Sequence, residues 1–398
     1  MAEAPWLTII GLGEDGPDGL SPASQRALAE AEVIMAPARH LSLVPETEAE
    51  RIEWPVPFAD GLDMLVDLRG RRVAVLASGD PFWFGAGSTI ARRLDSGEWR
   101  ALPGVSCFAL AVSKLGWSLE HVSCVALHAS PLTRLRPFLA PGARIVTTLR
   151  DGDAVLALGR YLIDTGFGAS AVTVFEALGG PRARQSTWTA ETLEGFFSRP
   201  VCAAIDVTGG GAVLGHATGR ADSFFESDGV ITKRPVRALT LSALAPGRGE
   251  LLWDIGGGSG TIAIEWLLSH PSTAAISVER RADRARMIRR NAEELGVDRL
   301  RLVEDAAPDC LADLPVPDAV FVGGGLSEAL LSVLHAMLPS GTRLVANAVT
   351  IETQSLLSDW HGRIGGSLLR MDLAEAKALG QGRAWQASYP LMQWSVTL

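Results

Sequence analysis

The most constraining feature of this 398-residue sequence is the segment LLWDIGGGSGTIAIEW, which spans residues 251–266. It joins an apolar run to a helix-like run through a loop with glycine at four of five positions. Glycines after a buried strand let a ligand approach the backbone at the N-terminus of the following helix. Four glycines cost conformational entropy and add no packing, so a tight turn without a ligand is a poor explanation. The segment therefore predicts a strand, a ligand-binding loop and a helix of an α/β fold.

Two classes of ligand compete for this loop. The run Gly258–Ala263 fits the GxGxxG/A pattern of dinucleotide sites, so NAD stays open on the glycines alone. Asp254 stands two residues before the first glycine, and a carboxylate facing the ligand crevice there would repel a pyrophosphate. It would suit S-adenosylmethionine, which carries an ammonium and a sulfonium. Glu279, at the end of the next predicted strand, would bind the ribose of either ligand, and Asp305 with Ala306 would flank the adenine.

Length and periodicity predict two α/β domains. A chain of 398 residues exceeds the size at which a single core usually stops growing, and apolar runs alternate with helical patterns in both halves. Residues 208–229, which read TGGGAVLGHATGRADSFFESDG, are glycine-rich and then polar, and they predict a linker. The predicted domains therefore span residues 1–207 and 230–398.

The pattern of apolar residues also places individual elements. In the first half, a helix is predicted from Ser21 to about Ala31, and strands are predicted at residues 7–10, 72–77, 143–149, 171–175 and 201–207. In the second half, strands and helices alternate from residue 235 to residue 349, with a strand at 250–254 and a helix at 259–268 around the glycine loop. This alternation predicts a doubly wound sheet. Two final strands, near residues 368–373 and 391–398, form a late hairpin-like addition.

Composition argues against several classes of protein. The four cysteines form no CxxC pair and the seven histidines are scattered, so the sequence predicts neither a metal site nor disulfides. A net charge of −9 disfavours a broad nucleic-acid surface. No run approaches the roughly 18 apolar residues of a membrane span, and no basic segment precedes an apolar core at the N-terminus. We expect a cytoplasmic protein without nucleic-acid or membrane partners.

Residues 228–398 resemble the class I methyltransferases of corrin biosynthesis, which methylate C15 of a precorrin and decarboxylate its acetate side chain. The motifs that carry the resemblance are ITK at residues 231–233, WDIGGGSG at 253–260, Glu279, Asp305-Ala306, GGG at 323–325 and NAVTIET at 347–353. The resemblance implies that S-adenosylmethionine is bound by Thr232, Asp254, Gly256, Gly257, Gly258, Ser259, Gly260, Glu279, Asp305 and Ala306. One residue departs from the family pattern: Glu304 stands where a glycine is usual.

Residues 6–207 resemble the tetrapyrrole methylases, which are class III S-adenosylmethionine enzymes. The motifs are IIGLG at residues 9–13, ASGDPF at 77–82, LPGVS at 102–106, His128-Ala129 and EAL at 176–178. The resemblance implies a cofactor folded in a cleft between two subdomains and lined by Gly79, Asp80, Pro81 and Ser106, with the first glycine loop facing the tetrapyrrole. Relatives often have GPGD where this chain has GEDG at residues 13–16, and Ala129 replaces a common glycine.

Together the two resemblances imply a tetrapyrrole methylase fold of two subdomains followed by a Rossmann-like class I methyltransferase domain. They further imply an enzyme of cobalamin biosynthesis that methylates a precorrin-6 intermediate at C5 and C15 and removes the ring C acetate, giving precorrin-8. One S-adenosylmethionine per domain and a homo-oligomer are expected. No catalytic acid is identified; Asn347 and Glu352 are candidates, and Arg182 and Arg184 are candidates for holding substrate carboxylates. An NAD-linked oxidoreductase and an RNA methyltransferase remain the alternatives.

Overall fold

The computed structural model describes residues 5–398, which divide into two compact units. The first unit contains the chain up to Leu132 and residues Phe138–Ala212, and the second contains Thr133–Pro137 and Val213–Leu398. Of the segment predicted as a linker, residues 213–229 thus belong to the second unit. Within the described range, no helix is both long enough and apolar enough to span a lipid bilayer.

The first unit consists of two sheets with flanking helices. Its elements, in chain order, are β1 (Leu7–Leu12), α1 (Pro22–Ala29), β2 (Val33–Ala36), α2 (Ala38–Leu43), β3 (Glu50–Glu53), α3 (Asp60–Val66), β4 (Val73–Ser78), α4 (Gly87–Ala91), β5 (Trp99–Leu102), α5 (Cys107–Leu115), β6 (Val122–Ala126), β7 (Arg144–Leu149), α6 (Gly152–Asp164), β8 (Ala171–Glu176), β9 (Arg184–Thr189) and β10 (Val201–Asp206).

The first sheet of this unit is parallel, with strand order β3-β2-β4-β1-β5. Both of its faces are buried. Leu7 and Ile9 of β1 pack into one apolar cluster, and Ile10 and Leu12 pack into another on the opposite face. Strands buried on both faces read as continuous apolar runs, which explains the sequence of β1. The chain leaves β1 toward β2 and leaves β4 toward β5, so the crevice of this sheet lies between β4 and β1 at their carboxyl ends.

The second sheet of the first unit is mixed, with strand order β6-β7-β10-β8-β9. Its β6 and β7 are parallel, and the other neighbours are antiparallel. Helix α5 covers one face with Phe108 and Val112, which pack against Val146 and Cys202. Cys107 and Cys124 pack against the same cluster, so three cysteines that lie far apart in the sequence share one small core.

The second unit is built on one sheet and a separate hairpin. Its elements, in chain order, are α7 (Arg234–Leu244), β11 (Leu251–Ile255), α8 (Thr261–Ser269), β12 (Ala274–Val278), α9 (Ala282–Glu294), β13 (Arg301–Val303), β14 (Ala319–Val322), α10 (Glu328–Met337), β15 (Arg343–Ala348), α11 (Ile351–Ile364), β16 (Ser367–Met371), β17 (Ala374–Leu379), β18 (Gly382–Ala387) and β19 (Leu391–Thr397).

The main sheet has strand order β13-β12-β11-β14-β15-β19-β16. The first five strands in this order are parallel, and β19 is antiparallel to both of its neighbours. Leu252 of β11 packs under α7 and α8, and Trp253 packs on the other face with residues of α10 and α11. Leu214 and Phe225, from the segment predicted as a linker, are buried in the first of these clusters. The architecture confirms the α/β class and the doubly wound sheet. The pair β17–β18 forms a separate two-stranded sheet.

Candidate functional site

The glycine loop of the second unit follows β11 as predicted and begins α8 at Thr261. Gly256, Gly258 and Gly260 have φ values of 71°, 59° and 76°, a region that side chains other than glycine rarely adopt. A Cβ at Gly256 would lie 2.7 Å from backbone atoms of Gly324. The loop after β11 therefore packs backbone to backbone against the loop after β14. Gly258 differs, since a Cβ there would meet no atom closer than 3.9 Å.

Asp254 lies beneath this loop and is only 1% exposed. Its carboxylate is covered rather than open to solvent, and it accepts a hydrogen bond from the Ser277 hydroxyl at 3.4 Å inside the unit. Burial raises the pKa of Asp254 to about 7; hydrogen bonds from the Ala263 amide and from Ser277 oppose this shift, and the charge of Glu279 adds to it. Direct contact between Asp254 and a ligand stays a prediction.

Glu279 lies beside the glycine loop at the end of β12 and is 5% exposed. Its carboxylate accepts hydrogen bonds from the Gly258 amide at 3.0 Å and from the Arg281 amide at 2.9 Å. Asp305 and Ala306 are exposed beyond β13, and the Asp305 carboxylate accepts from the Ala306 amide at 2.7 Å. The structure thus brings Glu279 to the loop, while the ribose and adenine contacts stay predictions.

The segment before α7 closes one side of the same loop. The Ser259 hydroxyl donates to the Val230 carbonyl at 3.2 Å. The carbonyl of Thr232 accepts a hydrogen bond from the Arg237 guanidinium at 2.5 Å. The buried side chain of Asn291 donates to the carbonyls of both Ser259 and Glu226 at 2.9 Å. Glu226 and Val230 are therefore tied to the glycine loop, and Thr232 follows two residues later; its contact with a cofactor stays a prediction.

A group of buried charged side chains that the sequence did not reveal holds the chain before α7 in place. Arg220, Arg237 and Glu265, called here the buried charge cluster, have side chains that are 5%, 0% and 0% exposed. The Glu265 carboxylate accepts from the Arg237 Nε at 2.6 Å and from the amides of Gly219 and Arg220 at 2.7 Å and 2.9 Å. Asp222 pairs with Arg237 at 3.0 Å. The three members lie in patterns that read as ordinary helix or loop, so no local signal marks them.

A second polar group lies at the end of β15. Asn347 donates to the Thr240 hydroxyl, and Gln393 donates to both Thr240 and Asn347, each at 3.0 Å. Thr240 donates in turn to the Val236 carbonyl at 2.9 Å. The side chain of Asn347 is thereby held in one orientation. Glu352, the other candidate acid, is exposed in the first turn of α11.

In the first unit, the three predicted glycine motifs meet in one place. A Cβ at Gly11 would lie 1.9 Å from the Gly79 carbonyl oxygen and 2.2 Å from the Gly104 nitrogen. The Gly104 amide donates to the Gly79 carbonyl at 3.0 Å, and the Gly79 amide donates to the Leu12 carbonyl at 3.0 Å. The loops after β1, β4 and β5 are therefore interlocked at the crevice of the first sheet.

The predicted cofactor residues of the first unit lie around this contact. Asp80 is half-buried and accepts from the Phe82 amide at 2.8 Å, and Pro81 is buried. Ser106 is the N-cap of α5, and its hydroxyl accepts from the Ala109 amide at 3.2 Å. A Cβ at Gly79 would lie 2.9 Å from the Cα of Ser106, so the structure brings these motifs together. Their contacts with a cofactor stay predictions.

Comparison with known proteins gives a match for each half of the chain. Residues 6–194 match the family of tetrapyrrole (corrin/porphyrin) methylases, and residues 223–398 match the precorrin methyltransferase domain. A precorrin-6Y C(5,15)-methyltransferase [decarboxylating] of Sinorhizobium sp is 48% identical over 400 residues, covering 99% of this chain and 97% of the relative. The protein of the same name from Mycobacterium tuberculosis is 38% identical over 395 residues, covering 98% and 99%.

A shorter relative matches only part of the chain. The "Probable cobalt-precorrin-6B C(15)-methyltransferase (decarboxylating)" of Pyrobaculum calidifontis is 36% identical over 153 residues, which are 37% of this chain and 78% of the relative.

Proposed function

We propose, for a chain that belongs to the family of decarboxylating precorrin-6Y C(5,15)-methyltransferases, that each unit binds one S-adenosylmethionine and that the two units divide the two methylations. The enzyme transfers methyl groups to C5 and C15 of a precorrin-6 intermediate and removes the ring C acetate, giving precorrin-8 in cobalamin biosynthesis. Family membership decides between the ligands that the glycine pattern left open, in favour of S-adenosylmethionine over a nicotinamide dinucleotide.

The observation that supports the division is the presence of two separate glycine-lined crevices, each at the carboxyl ends of the parallel strands of its own sheet. The crevice of the first unit lies in the half that matches the tetrapyrrole methylases, and that of the second lies in the half that matches the precorrin methyltransferase domain. A relative named for the C15 reaction and decarboxylation alone aligns with only 37% of this chain. We assign C15 methylation and decarboxylation to the second unit and C5 methylation to the first.

The residues of the second unit fit the proposed cofactor. A Cβ at Gly258 would meet no atom closer than the carbonyl oxygens of Gly256 and Val230, both at 3.9 Å, so the loop is open at this residue. The carboxylate of Glu279 adds a further acceptor beside them. Acceptors suit an ammonium, a sulfonium and ribose hydroxyls, whereas they would repel a pyrophosphate. The nearby guanidinium of Arg281 is already paired, since it contacts Asp283 at 2.6 Å.

The chain's residues need to do little beyond binding and positioning. S-adenosylmethionine supplies an electrophilic methyl carbon, and the meso carbons of the substrate are enamine-like nucleophiles. Holding two reactants in line can supply about 7–11 kcal/mol of the barrier. The interlocked loops of Gly11, Gly79 and Gly104 fix the floor of the first crevice, and the contact of Gly256 with Gly324 fixes that of the second. In the decarboxylation, the bond to the departing CO2 breaks, its electron pair enters the conjugated ring, and a carbon takes up a proton.

Calorimetric titration with S-adenosylmethionine tests the stoichiometry in the full chain. We expect two sites, one weakened by Asp80→Ala and the other by Asp254→Ala. Asp63→Ala and Asp283→Ala are matched controls, because both carboxylates are exposed in surface ion pairs with Arg93 and Arg281. NMR of products made with a ¹³C-methyl donor should show loss of the C5 methyl in the first variant and of the C15 methyl in the second. One site, or loss of both methyls in either variant, contradicts the division.

We infer further that the enzyme is a homo-oligomer that associates through the hairpin β17–β18. Nearly every residue of this hairpin is exposed, including Leu379 at 68% and Trp385 at 77%. Tyr389, which follows it, is 85% exposed. A two-stranded hairpin is marginal alone in water, and its edges offer unpaired backbone groups to another chain. Replacing residues 375–386 with a short Gly-Ser turn should lower the mass measured by light scattering; an unchanged mass contradicts the inference.

A further inference from the structure

The carboxyl edge of the first sheet carries a polar group centred on Arg39, a residue that none of the motifs includes. It consists of residues that follow β1 and β2, the last residue of β4 and one residue from the loop between β8 and β9. We call it the Arg39 cluster, and its members are Glu14, Arg39, His40, Ser78 and Arg182. All five belong to the first unit. In parallel α/β sheets this edge is where ligands bind.

Arg39 is held at this edge by three side chains. Its Nη1 donates to the Glu14 carboxylate. Its Nη2 lies 2.7 Å from the His40 Nε2 and 2.8 Å from the Ser78 hydroxyl. These three contacts fix the orientation of the Arg39 guanidinium. The Nε and the second hydrogen of Nη1 are not used by them, and the side chain is 37% exposed.

His40 acts as a neutral support for Arg39. It is 3% exposed, and burial, together with the adjacent charge of Arg39, lowers its pKa to about 3. A guanidinium only donates hydrogen bonds, so the His40 Nε2 must accept and the ring proton lies on Nδ1. That Nδ1 has no partner among the described residues. A buried histidine that stays neutral adds no positive charge and leaves Arg39 as the cation at this position.

The charges of the cluster do not balance. Glu14 is 7% exposed and contacts two arginines, Arg39 and Arg182, the latter at 3.4 Å. One carboxylate therefore faces two cations. The excess positive charge lies on the two arginines, which are more exposed than Glu14, at 37% for Arg39 and 66% for Arg182. Arg184, the other arginine considered from the sequence, differs, because it has its own buried partner, Glu176, at 3.7 Å.

We propose that Arg39 and Arg182 bind a peripheral carboxylate of the tetrapyrrole during methylation in the first unit. This proposal rests on the proposed function, which supplies a substrate with several acetate and propionate side chains. A guanidinium presents two parallel donors that match a carboxylate, and the excess cation of the cluster is satisfied when one such group enters. The site would fix the position of the macrocycle over the crevice and thereby select the carbon that receives the methyl group.

The test compares Arg39→Gln and Arg182→Gln with Arg93→Gln in the full chain, using precorrin-6Y and following the C5 methyl by NMR. Arg93 is a matched control because it is half-exposed in the same unit and paired with a single exposed carboxylate, Asp63. Loss of a charge-assisted hydrogen bond raises a dissociation constant about ten- to hundredfold. We expect a KM rise of that size for Arg39→Gln and a smaller one for Arg182→Gln, with kcat within about threefold of the wild type.

A binding measurement separates this role from a structural one. Coproporphyrin, which carries four carboxylates, and its tetraamide serve as probes in a fluorescence titration. We expect the wild type to prefer the acid over the amide and Arg39→Gln to lose that preference, while its affinity for S-adenosylhomocysteine stays unchanged. Arg39→Lys, which keeps the charge without the fork, should restore part of it. A KM equal to that of the control, or an acid preference that survives in Arg39→Gln, overturns the proposal. A wild type that makes no C5 methyl but binds coproporphyrin through Arg39 overturns the proposed function instead.

Discussion

Replacing Glu265 with glutamine tests how strongly the buried charge cluster stabilises the second unit. The Glu265 carboxylate accepts from the Arg237 Nε, the Arg220 Nη1 and two backbone amides, at 2.6–3.4 Å. Glutamine keeps the volume but accepts at one oxygen only, so two of these four donors would face an NH2 group. The Arg220 guanidinium would also remain buried without a counter-charge, and Arg237 would keep only Asp222 as an acidic partner. Burial already lowers the pKa of Arg220, and Glu265 opposes that shift.

The expected cost follows from these contacts. Hydrogen bonds to charged groups contribute about 1.5–3 kcal/mol each, and removing one partner of a buried ion pair costs about 3–5 kcal/mol. Counting two lost hydrogen bonds, or counting one broken buried ion pair, gives a similar loss of about 3–5 kcal/mol in the free energy of unfolding of the second unit. Glu304→Gln is the matched control, because Glu304 pairs with Arg289 at 3.0 Å while both side chains are about half-exposed. Such surface pairs contribute about 0–1 kcal/mol.

Hydrogen exchange measured by mass spectrometry on the full chain reports each unit separately. Amides of β11 and β14, which lie at the centre of the main sheet of the second unit, should exchange about a hundred- to several-thousandfold faster in Glu265→Gln. This range follows from about 1.4 kcal/mol per factor of ten. Amides of β1 and β4 in the first unit serve as the internal reference. A change no larger than that of Glu304→Gln would refute the reasoning, since it would mean that water or rearranged side chains satisfy the two arginines.

Three further predictions follow from buried contacts. Gly11→Ala should destabilise the first unit by about 3 kcal/mol or more, because its Cβ would lie 1.9 Å from the Gly79 carbonyl oxygen, whereas Gly97→Ala, with no atom within 4 Å, should be nearly neutral in thermal melts. Asp254→Asn removes a carboxyl with a pKa of about 7. Between about pH 4 and pH 7 the wild-type folded state holds a proton that the unfolded state has lost, so the wild type loses about 4 kcal/mol of unfolding free energy from pH 4 to pH 8 and the variant does not. Urea unfolding at both pH values measures this difference, and a difference that does not grow with pH contradicts the prediction. Thr240→Val should cost about 2 kcal/mol or more, because two side-chain amides lose their acceptor; Thr240→Ser should restore most of it.

Local patterns in the sequence were sufficient for the parts of the fold that local interactions determine. The strand before the glycine loop is predicted at residues 250–254 and lies at Leu251–Ile255, and the helix after it is predicted at 259–268 and lies at Thr261–Ser269. By contrast, β2 and β3 are only four residues long and were not predicted. A short apolar run such as VIMA in β2 does not distinguish a strand from a buried helical turn by periodicity.

The supporting polar groups could not be predicted, because they depend on packing between distant segments. Arg237 and Glu265 are 28 residues apart and meet only because α7 packs beside α8. Arg182 reaches Glu14 across 168 residues. The glycine and acid motifs were visible because their residue types are unusual at those positions, while arginines on helices usually indicate a solvated face. The burial of Asp254 could not be predicted for a related reason: the sequence gives its position on β11 but not the segments that cover it.

The burial of Leu214, Arg220 and Phe225 in the core of the second unit determines where this chain can be cut into two proteins that each fold. A second unit that began at Val230 would lack these core residues and the amides that Glu265 needs, so the self-sufficient unit begins at about Val213. The place to divide the chain is therefore the boundary after the short run TGGGA at residues 208–212, and not the end of the glycine-rich and polar segment at residue 229.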